Sequence, residues 1–172
     1  MDHDRRPDPA RTVWLVRHAR AALRGPLGDD PGRPLVPAGL AQARRLAGAL
    51  AAWGERPDAV LTSPWLRAAA TAEALRGDAP VRVVEALAAP DPAAASAAIL
   101  AALGPHERTV AVVGHEPWLG WLASWWLCGH EHGVAIEFRK ASALALVGVP
   151  GPGRMALTGF VPMRWVKALQ GG

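Results

Sequence analysis

The feature that most constrains the fold of this chain is a regular alternation of short apolar runs with helical segments. The runs have the length of buried strands, and the segments between them show helical periodicity. The predicted strands are VWLVR (13–17), DAVLTS (58–63), VRVVE (81–85) and TVAVVG (109–114). Strands that alternate with helices favour a mainly parallel sheet with helices on both faces.

The predicted helices occupy the segments between these strands. They cover 38–53, the segment that starts at Pro64, 91–103 and 117–127. Three further predicted strands, GVAIEF (133–138), SALALVGV (142–149) and RMALTGF (154–160), follow without helices between them, so part of the sheet should be antiparallel. The expected fold is therefore an α/β three-layer sandwich with a mostly parallel mixed sheet.

The chain shows one domain by length and pattern. Its 172 residues are enough to bury a substantial core. Residues 1–11 are polar and rich in proline, which predicts a flexible leader, and the domain is expected to span 12–172. We find no internal repeat and no linker that would divide this span.

Composition narrows the partners and the compartment. The net charge is +4, but arginines are scattered among acidic residues without a basic run, so no nucleic-acid partner is expected. No apolar run approaches the ~20 residues of a membrane helix, and the N-terminus lacks an apolar signal core. Cys128 is the single cysteine, which fits a cytoplasmic protein and predicts a small buried apolar side chain there.

Reactive residues are concentrated where the predicted strands end. Arg17 and His18 end the first strand, Arg67 follows the second, and His115 ends the fourth. In open α/β sheets, ligands bind beyond the carboxyl ends of the strands. We therefore expect two histidines and two arginines to converge at one edge of the sheet.

Four segments in this order resemble a known family. LVRHARA (15–21), RPLVPAGLAQARRLA (33–47), LTSPWLRAAATAEAL (61–75) and VVGHEPWL (112–119) resemble the signatures of the histidine phosphatase superfamily. The short chain and the RPL and GHEP elements most resemble its SixA-type branch of phosphohistidine phosphatases. The resemblance runs from about Val13 to the last strands and implies a phosphoglycerate mutase-like fold.

The resemblance also implies a site and a mechanism. His18 would be the nucleophile, with its other ring nitrogen held by a backbone carbonyl. Arg17 and Arg67 would bind the phosphoryl oxygens, and His115 would stabilise their charge in the transition state. Such a cationic pocket requires no metal and no cofactor. The substrate would be a phosphorylated protein or a small phosphorylated molecule, and no oligomeric state is predicted.

The proton donor for the leaving group is the least defined part of this site. Glu85 lies in the region where the superfamily's phosphomonoesterases and mutases carry a carboxylic acid, but it could equally be an exposed strand-end residue. Glu116 is a second candidate that could instead cap a helix. We therefore hypothesise that the enzyme lacks a strong general acid and prefers phosphoramidates.

Two other functions remain open at this point. One is a mutase-like phosphoryl transferase, which the short chain disfavours. The other is a non-catalytic module that binds a phosphorylated partner, which would not require His18. The chain also departs from the family pattern at Val36, Arg20 and Ala70, none of which is a phosphate ligand.

Two remaining motifs have simpler interpretations. His130-Glu131-His132 offers too few ligands for a metal and predicts a solvated turn. The spacing of Trp118, Trp121 and Trp125 places them on one helical face, which predicts a core stripe. Alternatively, these tryptophans form an aromatic wall or a contact with another subunit.

Overall fold

The strands form one mixed sheet, as the sequence predicts. A computed structural model describes residues 9–28 and 30–169. The strands are β1 (Arg11–Arg17), β2 (Ala59–Thr62), β3 (Val81–Val83), β4 (Thr109–Gly114), β5 (Ala143–Gly148) and β6 (Met155–Val161). They are ordered β3-β2-β4-β1-β5-β6. The first four strands are mutually parallel, and β5 and β6 add antiparallel pairings at one side.

Helices cover both faces of this sheet. They are α1 (Pro37–Ala52), α2 (Leu66–Leu75), α3 (Pro92–Ala102), α4 (Trp118–Cys128) and α5 (Met163–Leu169), with a 3₁₀ helix at Glu85–Ala88. Helices α1, α2 and α5 pack on one face, and α3 and α4 pack on the other. This is the expected three-layer sandwich.

The central strand β1 shows why the chain folds in three layers. Successive side chains of a strand point to opposite faces. Val13 and Leu15 pack with α3 and α4, whereas Trp14 and Val16 pack with α1 and α2. Burying each such aliphatic side chain contributes about 1.5–3 kcal/mol, so a continuous apolar strand is stable only between two helical layers.

The predicted strand at 133–138 is wrong. This segment has irregular structure, although Phe138 is fully buried. Its backbone groups are bound by side chains instead of a neighbouring strand: Phe138 N donates to Glu116, and Phe138 O accepts from Arg17. Ala141, at φ 58°, then turns the chain into β5. Backbone groups satisfied in this way need no strand ladder.

Several element ends also differ from the prediction. β3 stops at Val83, and Glu85 instead begins the 3₁₀ helix. Pro64 precedes α2 without opening it, because Trp65 is the N-cap residue. Helix α5 was not predicted. Its signal is the short pattern of Met163 and Val166, three residues apart, which are both buried.

The core face of α4 differs from the predicted one. Leu119, Leu122, Ala123 and Trp126 are buried at helical spacing. This stripe displaces the predicted one, so Trp118, Trp121 and Trp125 are only half-buried. Cys128 is exposed at the end of the helix, which corrects its predicted burial.

The predicted leader, residues 1–11, overlaps the structure only at its end. Residues 1–8 lie outside the described residues, and Arg11 already belongs to β1. The Arg11 guanidinium donates to the carbonyls of Glu107 and Gly104, which ties this strand end to the loop before β4. Within the described residues, no helix is long and apolar enough to cross a membrane.

Candidate functional site

A cavity of about 330 Å³ lies at the carboxyl edge of the parallel strands. It brings together the four residues predicted to converge: Arg17, His18, Arg67 and His115. Its other lining residues are Asp30, Arg33, Trp65, Glu116, Trp118 and Lys140. The volume is within the range of small-molecule sites.

The register of the two central strands places the histidines side by side. Arg17 of β1 is opposite Gly114 of β4, and each is followed directly by a histidine. His18 N donates to Gly114 O at 3.1 Å, which extends the strand pairing by one residue. The two imidazole centroids are consequently 5.2 Å apart.

Hydrogen bonds fix the tautomer of His18. Its Nδ1 lies 2.7 Å from the carbonyl oxygen of Ala19, which can only accept, so Nδ1 carries the proton. The lone pair of Nε2 accepts from Arg67 Nε at 3.2 Å. The Ala19 peptide is held in turn, because Ala19 N donates to Thr71 Oγ1 at 3.1 Å. His18 therefore presents an unprotonated Nε2 to the cavity.

His115 has one ring nitrogen engaged and one free. Its Nε2 lies 2.8 Å from Ser63 Oγ, which also accepts from Trp65 N. Its Nδ1 is buried and has no hydrogen-bond partner within the described part of the chain. When Ser63 donates its hydroxyl proton to Nε2, the proton of the neutral ring is on Nδ1.

Burial keeps both histidines neutral. The pKa of His18 is lowered to about 4, chiefly by desolvation and also by the cations of Arg67 and Arg17, while the Ala19 hydrogen bond opposes the shift. Desolvation also lowers the pKa of His115 to about 3, with His18 and Arg67 acting in the same direction. Both imidazoles are therefore uncharged at neutral pH.

We expect the acid limb of kcat/KM to lie near pH 4 rather than near the ordinary histidine pKa, because protonation of His18 removes its lone pair. The free energy of unfolding should also decline as the pH falls from about 6.5 to about 4. In this range the unfolded chain binds a proton at His18 that the folded protein does not bind. A pH titration of the imidazole NMR signals, with the His18 signal assigned by its loss in His18→Asn, checks this. Titration of His18 above pH 6 would contradict it.

Each nitrogen of the Arg67 guanidinium has a hydrogen-bond partner in this structure. Besides Nε to His18, its other nitrogens donate to the backbone oxygen of Asp30 at 2.6 Å and to the Asp30 carboxylate at 2.9 Å. The Asp30 carboxylate also accepts from Arg33. The hydrogen bond from Arg33, followed by that from Arg67, lowers the pKa of Asp30, so it stays ionised. A carboxylate thus occupies guanidinium groups that an anionic substrate needs.

We expect Asp30→Asn to lower KM for a phosphorylated substrate about three- to fivefold, because the partly exposed carboxylate competes with the substrate for Arg67. Steady-state kinetics and inhibition by inorganic phosphate measure this effect. Asp78→Asn removes an equal charge from an exposed site outside the cavity and serves as control. An unchanged or raised KM in Asp30→Asn alone would contradict the competition.

The cavity carries an excess of positive charge. Arg17, Arg33, Arg67 and Lys140 face only two carboxylates, those of Asp30 and Glu116. Arg17 donates to Phe138 O at 2.6 Å, and its buried Nε has no partner among the described residues. Burial, followed by Arg17 and the other arginines, lowers the pKa of Lys140. This arrangement is suited to a phosphate dianion.

The two acid candidates have different positions. Glu85 is exposed on the 3₁₀ helix and does not line the cavity. Glu116 does line it, and burial raises its pKa. However, Glu116 Oε1 accepts from Phe138 N at 3.0 Å, so one of its oxygens supports the segment that holds Arg17. Of the two candidates, only Glu116 lines the cavity, and Glu85 lies outside it.

Other parts of the site were not predicted from the sequence. They include Asp30, Arg33 and Lys140, which come from irregular segments, and Trp65, which lies inside the motif around Arg67. The signal available for Trp65 was its place two residues before Arg67. The described residues hold no metal-binding group of three acidic, histidine or cysteine side chains, and His130 and His132 lie in an exposed turn.

Comparisons with known proteins agree with this geometry. Residues 13–89 match the model of the histidine phosphatase superfamily (branch 1). No curated protein is significantly similar to the chain.

Solved structures resemble the chain over nearly its whole length. A protein histidine phosphatase SixA complexed with tungstate is 25% identical with a TM-score of 0.77, covering 91% of this chain and 99% of its own. A putative SixA from Agrobacterium tumefaciens is 24% identical with a TM-score of 0.69, covering 88% and 97%. Another from Nakamurella multipartitia is 24% identical with a TM-score of 0.72, covering 90% and 97%.

Proposed function

Because residues 13–89 match the model of the histidine phosphatase superfamily, we propose that the chain is a phosphatase of this superfamily in which His18 attacks phosphorus. The observation that carries this proposal is the fixed tautomer of His18, with Nδ1–H on Ala19 O and the Nε2 lone pair in a cationic cavity. A neutral imidazole with an oriented lone pair is an activated nucleophile.

The first step transfers the phosphoryl group to the enzyme. Arg67 Nε–H leaves the lone pair of His18 Nε2 and donates to a phosphoryl oxygen instead. The Nε2–P bond then forms as the bond from phosphorus to the leaving group breaks, and the leaving group takes a proton from solvent. Arg17, Arg67 and the free Nδ1–H of His115 stabilise the charge on the transferred oxygens.

The second step releases phosphate. A water oxygen attacks the phosphorus of the phosphohistidine, the P–N bond breaks, and Nε2 regains its lone pair. The proton of the water passes to solvent or to the phosphate product. The cations around the cavity provide the charge stabilisation that a metal would otherwise supply, so we propose that the enzyme needs neither metal nor cofactor.

The proposed substrate carries a phosphoryl group on nitrogen. This proposal is supported by the position of Glu85 outside the cavity, because a nitrogen leaving group needs less help from an acid. A SixA structure that this chain resembles is described as a protein histidine phosphatase and binds tungstate, a tetrahedral oxyanion. A phosphohistidine on a cytoplasmic protein fits these observations, and a small phosphoester is the alternative.

The leaving group tests this substrate class. We expect phosphoramidate to be hydrolysed with kcat/KM at least about 10²-fold above that of an alkyl phosphate such as glycerol phosphate, the scale of one missing acid catalyst. Activity should be the same with and without a chelator. Hydrolysis of glycerol phosphate as efficient as that of phosphoramidate would overturn the assignment, whether or not Glu85→Gln abolishes it. Glu85→Gln should leave phosphoramidate hydrolysis unchanged.

A further inference from the structure

Two tryptophans form one side of the catalytic cavity, and neither is explained by phosphate chemistry. Trp65 is the N-cap residue of α2, and Trp118 is the first residue of α4. Both line the cavity that contains His18 and Arg67, and both are half-buried. Because each stands at the start of a helix beyond a strand end, two separate parts of the chain bring an indole to the same place.

The rings form a continuous aromatic surface with His115. The centroid of Trp65 lies 4.4 Å from that of His115 and 5.7 Å from that of Trp118, and Trp118 lies 6.0 Å from His115. The Trp118 ring is nearly perpendicular to both neighbours. These are the separations and edge-to-face angles that aromatic rings favour. We call Trp65 and Trp118 the tryptophan wall.

The tryptophan wall is the apolar part of the lining of the cavity, which must also admit the leaving group. In an in-line transfer the leaving group lies on the side of phosphorus opposite His18 Nε2, which in a near-attack geometry is about 3–3.5 Å from phosphorus. The arginines and Lys140 account for the phosphoryl oxygens. The apolar side of the cavity is therefore the part left to contact the rest of the substrate.

We propose that the tryptophan wall selects substrates whose leaving group is a planar ring. An imidazole or aryl ring stacks against indole faces or edges, whereas a small amine or an alkyl alcohol gains little there. This inference rests on the proposed phosphatase activity and adds to it the shape of the leaving group. Imidazole, the leaving group of a phosphohistidine, is the ring we favour, since its phosphoryl group is on nitrogen.

Trp118 is the residue that tests this inference. The Arg67 guanidinium lies over the Trp65 ring, with Arg67 Cζ 4.5 Å from the ring centroid. Replacing Trp65 would therefore disturb phosphate binding as well. Among the described residues, the aromatic and cation–π pairs that include Trp118 are those with the rings of Trp65 and His115 alone. Its replacement separates ring recognition from the binding of the phosphoryl group.

The experiment compares two donors that both carry phosphorus on nitrogen, N-phosphoimidazole and phosphoramidate. In Trp118→Leu we expect the ratio of kcat/KM for N-phosphoimidazole to that for phosphoramidate to fall about five- to tenfold, the scale of one aromatic contact. Trp118→Phe should keep most of the ratio. Trp121→Leu, which replaces a half-buried tryptophan of the same helix outside the cavity, should leave it unchanged.

The outcomes separate this inference from the proposed function. If the parent protein hydrolyses neither donor nor phenyl phosphate, the proposed phosphatase fails and the inference falls with it. If the parent hydrolyses both donors and Trp118→Leu lowers both equally, the phosphatase stands and the ring selection is wrong. Phenyl phosphate is a third substrate in this comparison. If Trp118→Leu lowers kcat/KM for phenyl phosphate as much as for N-phosphoimidazole, the tryptophan wall selects any planar ring; if kcat/KM for phenyl phosphate does not fall, the selection is restricted to imidazole.

Discussion

His18→Asn is expected to lower kcat by at least about 10⁴-fold with every phosphorylated substrate, because it removes the imidazole that we propose accepts phosphorus. The imidazole is buried at the end of β1, and its Nε2 already contacts Arg67. An asparagine side chain is shorter and has an amide nitrogen without a lone pair for attack. It retains a donor that can reach the nearby carbonyl of Ala19.

Two measurements make this prediction specific to catalysis. The thermal unfolding midpoint and the inhibition constant or binding constant for phosphate should stay close to those of the parent, since Arg17 and Arg67 remain. His106→Asn changes an exposed histidine between α3 and β4 and should retain full activity. A folded His18→Asn protein with more than about a tenth of the parent's turnover would show that another residue accepts the phosphoryl group.

Arg67→Lys is expected to lower kcat/KM by about 10²- to 10³-fold, the usual cost of losing an oriented donor at developing charge. Arg67 aligns His18 through Nε and presents two further nitrogens to the same cavity. A lysine ammonium is a single charged point and lacks the planar set of donors that binds two phosphoryl oxygens at once. The loss should therefore appear in kcat as well as in KM.

The matched control for this substitution lies on the same helix. Arg76→Lys makes the same change at the C-cap of α2, where Arg76 contacts Glu73 outside the cavity. We expect its activity to equal that of the parent. If Arg67→Lys retains activity within about threefold, the positive charge alone is sufficient and the bidentate geometry inferred here is incorrect.

The sequence predicted the parts of the site that follow regular strands. Arg17 ends β1, and His18 and His115 follow β1 and β4 directly, so the parallel register alone brings them together. The prediction that a backbone carbonyl holds the second nitrogen of His18 is confirmed by Ala19 O. The positions of these residues depend only on the ends of parallel strands meeting at one edge of the sheet. Short apolar runs are enough to predict where those strands end.

The remaining parts of the site depend on long-range contacts that periodicity does not encode. Asp30 reaches Arg67 from an irregular loop, and the segment at 133–138 is held by Glu116 and Arg17 rather than by strand pairing. Trp118 was assigned to a core stripe because its helical spacing matched one, but Leu119, Leu122 and Trp126 fill the core from the same helix. Helical periodicity alone cannot choose between two such faces when a helix is apolar nearly all around.

Gly39 shows how a single small residue contributes to the geometry of the site. A Cβ at this position of α1 would collide with the backbone carbonyl of Arg20, two residues after His18. That carbonyl accepts from Val36 N at 3.1 Å, at the N-cap of α1. The absence of a side chain therefore allows the start of α1 to pack directly on the loop that carries the nucleophile.

The most direct test of this account is the detection of phosphate on His18. The protein is mixed with excess phosphoramidate, quenched within milliseconds without acid, and measured by intact mass, with peptide mapping to find the modified residue. We predict a phosphate adduct on His18 Nε2 that is absent in His18→Asn and disappears as substrate is exhausted. Turnover without any adduct on His18 would contradict the covalent mechanism, and neither adduct nor turnover would indicate a module that only binds phosphorylated partners.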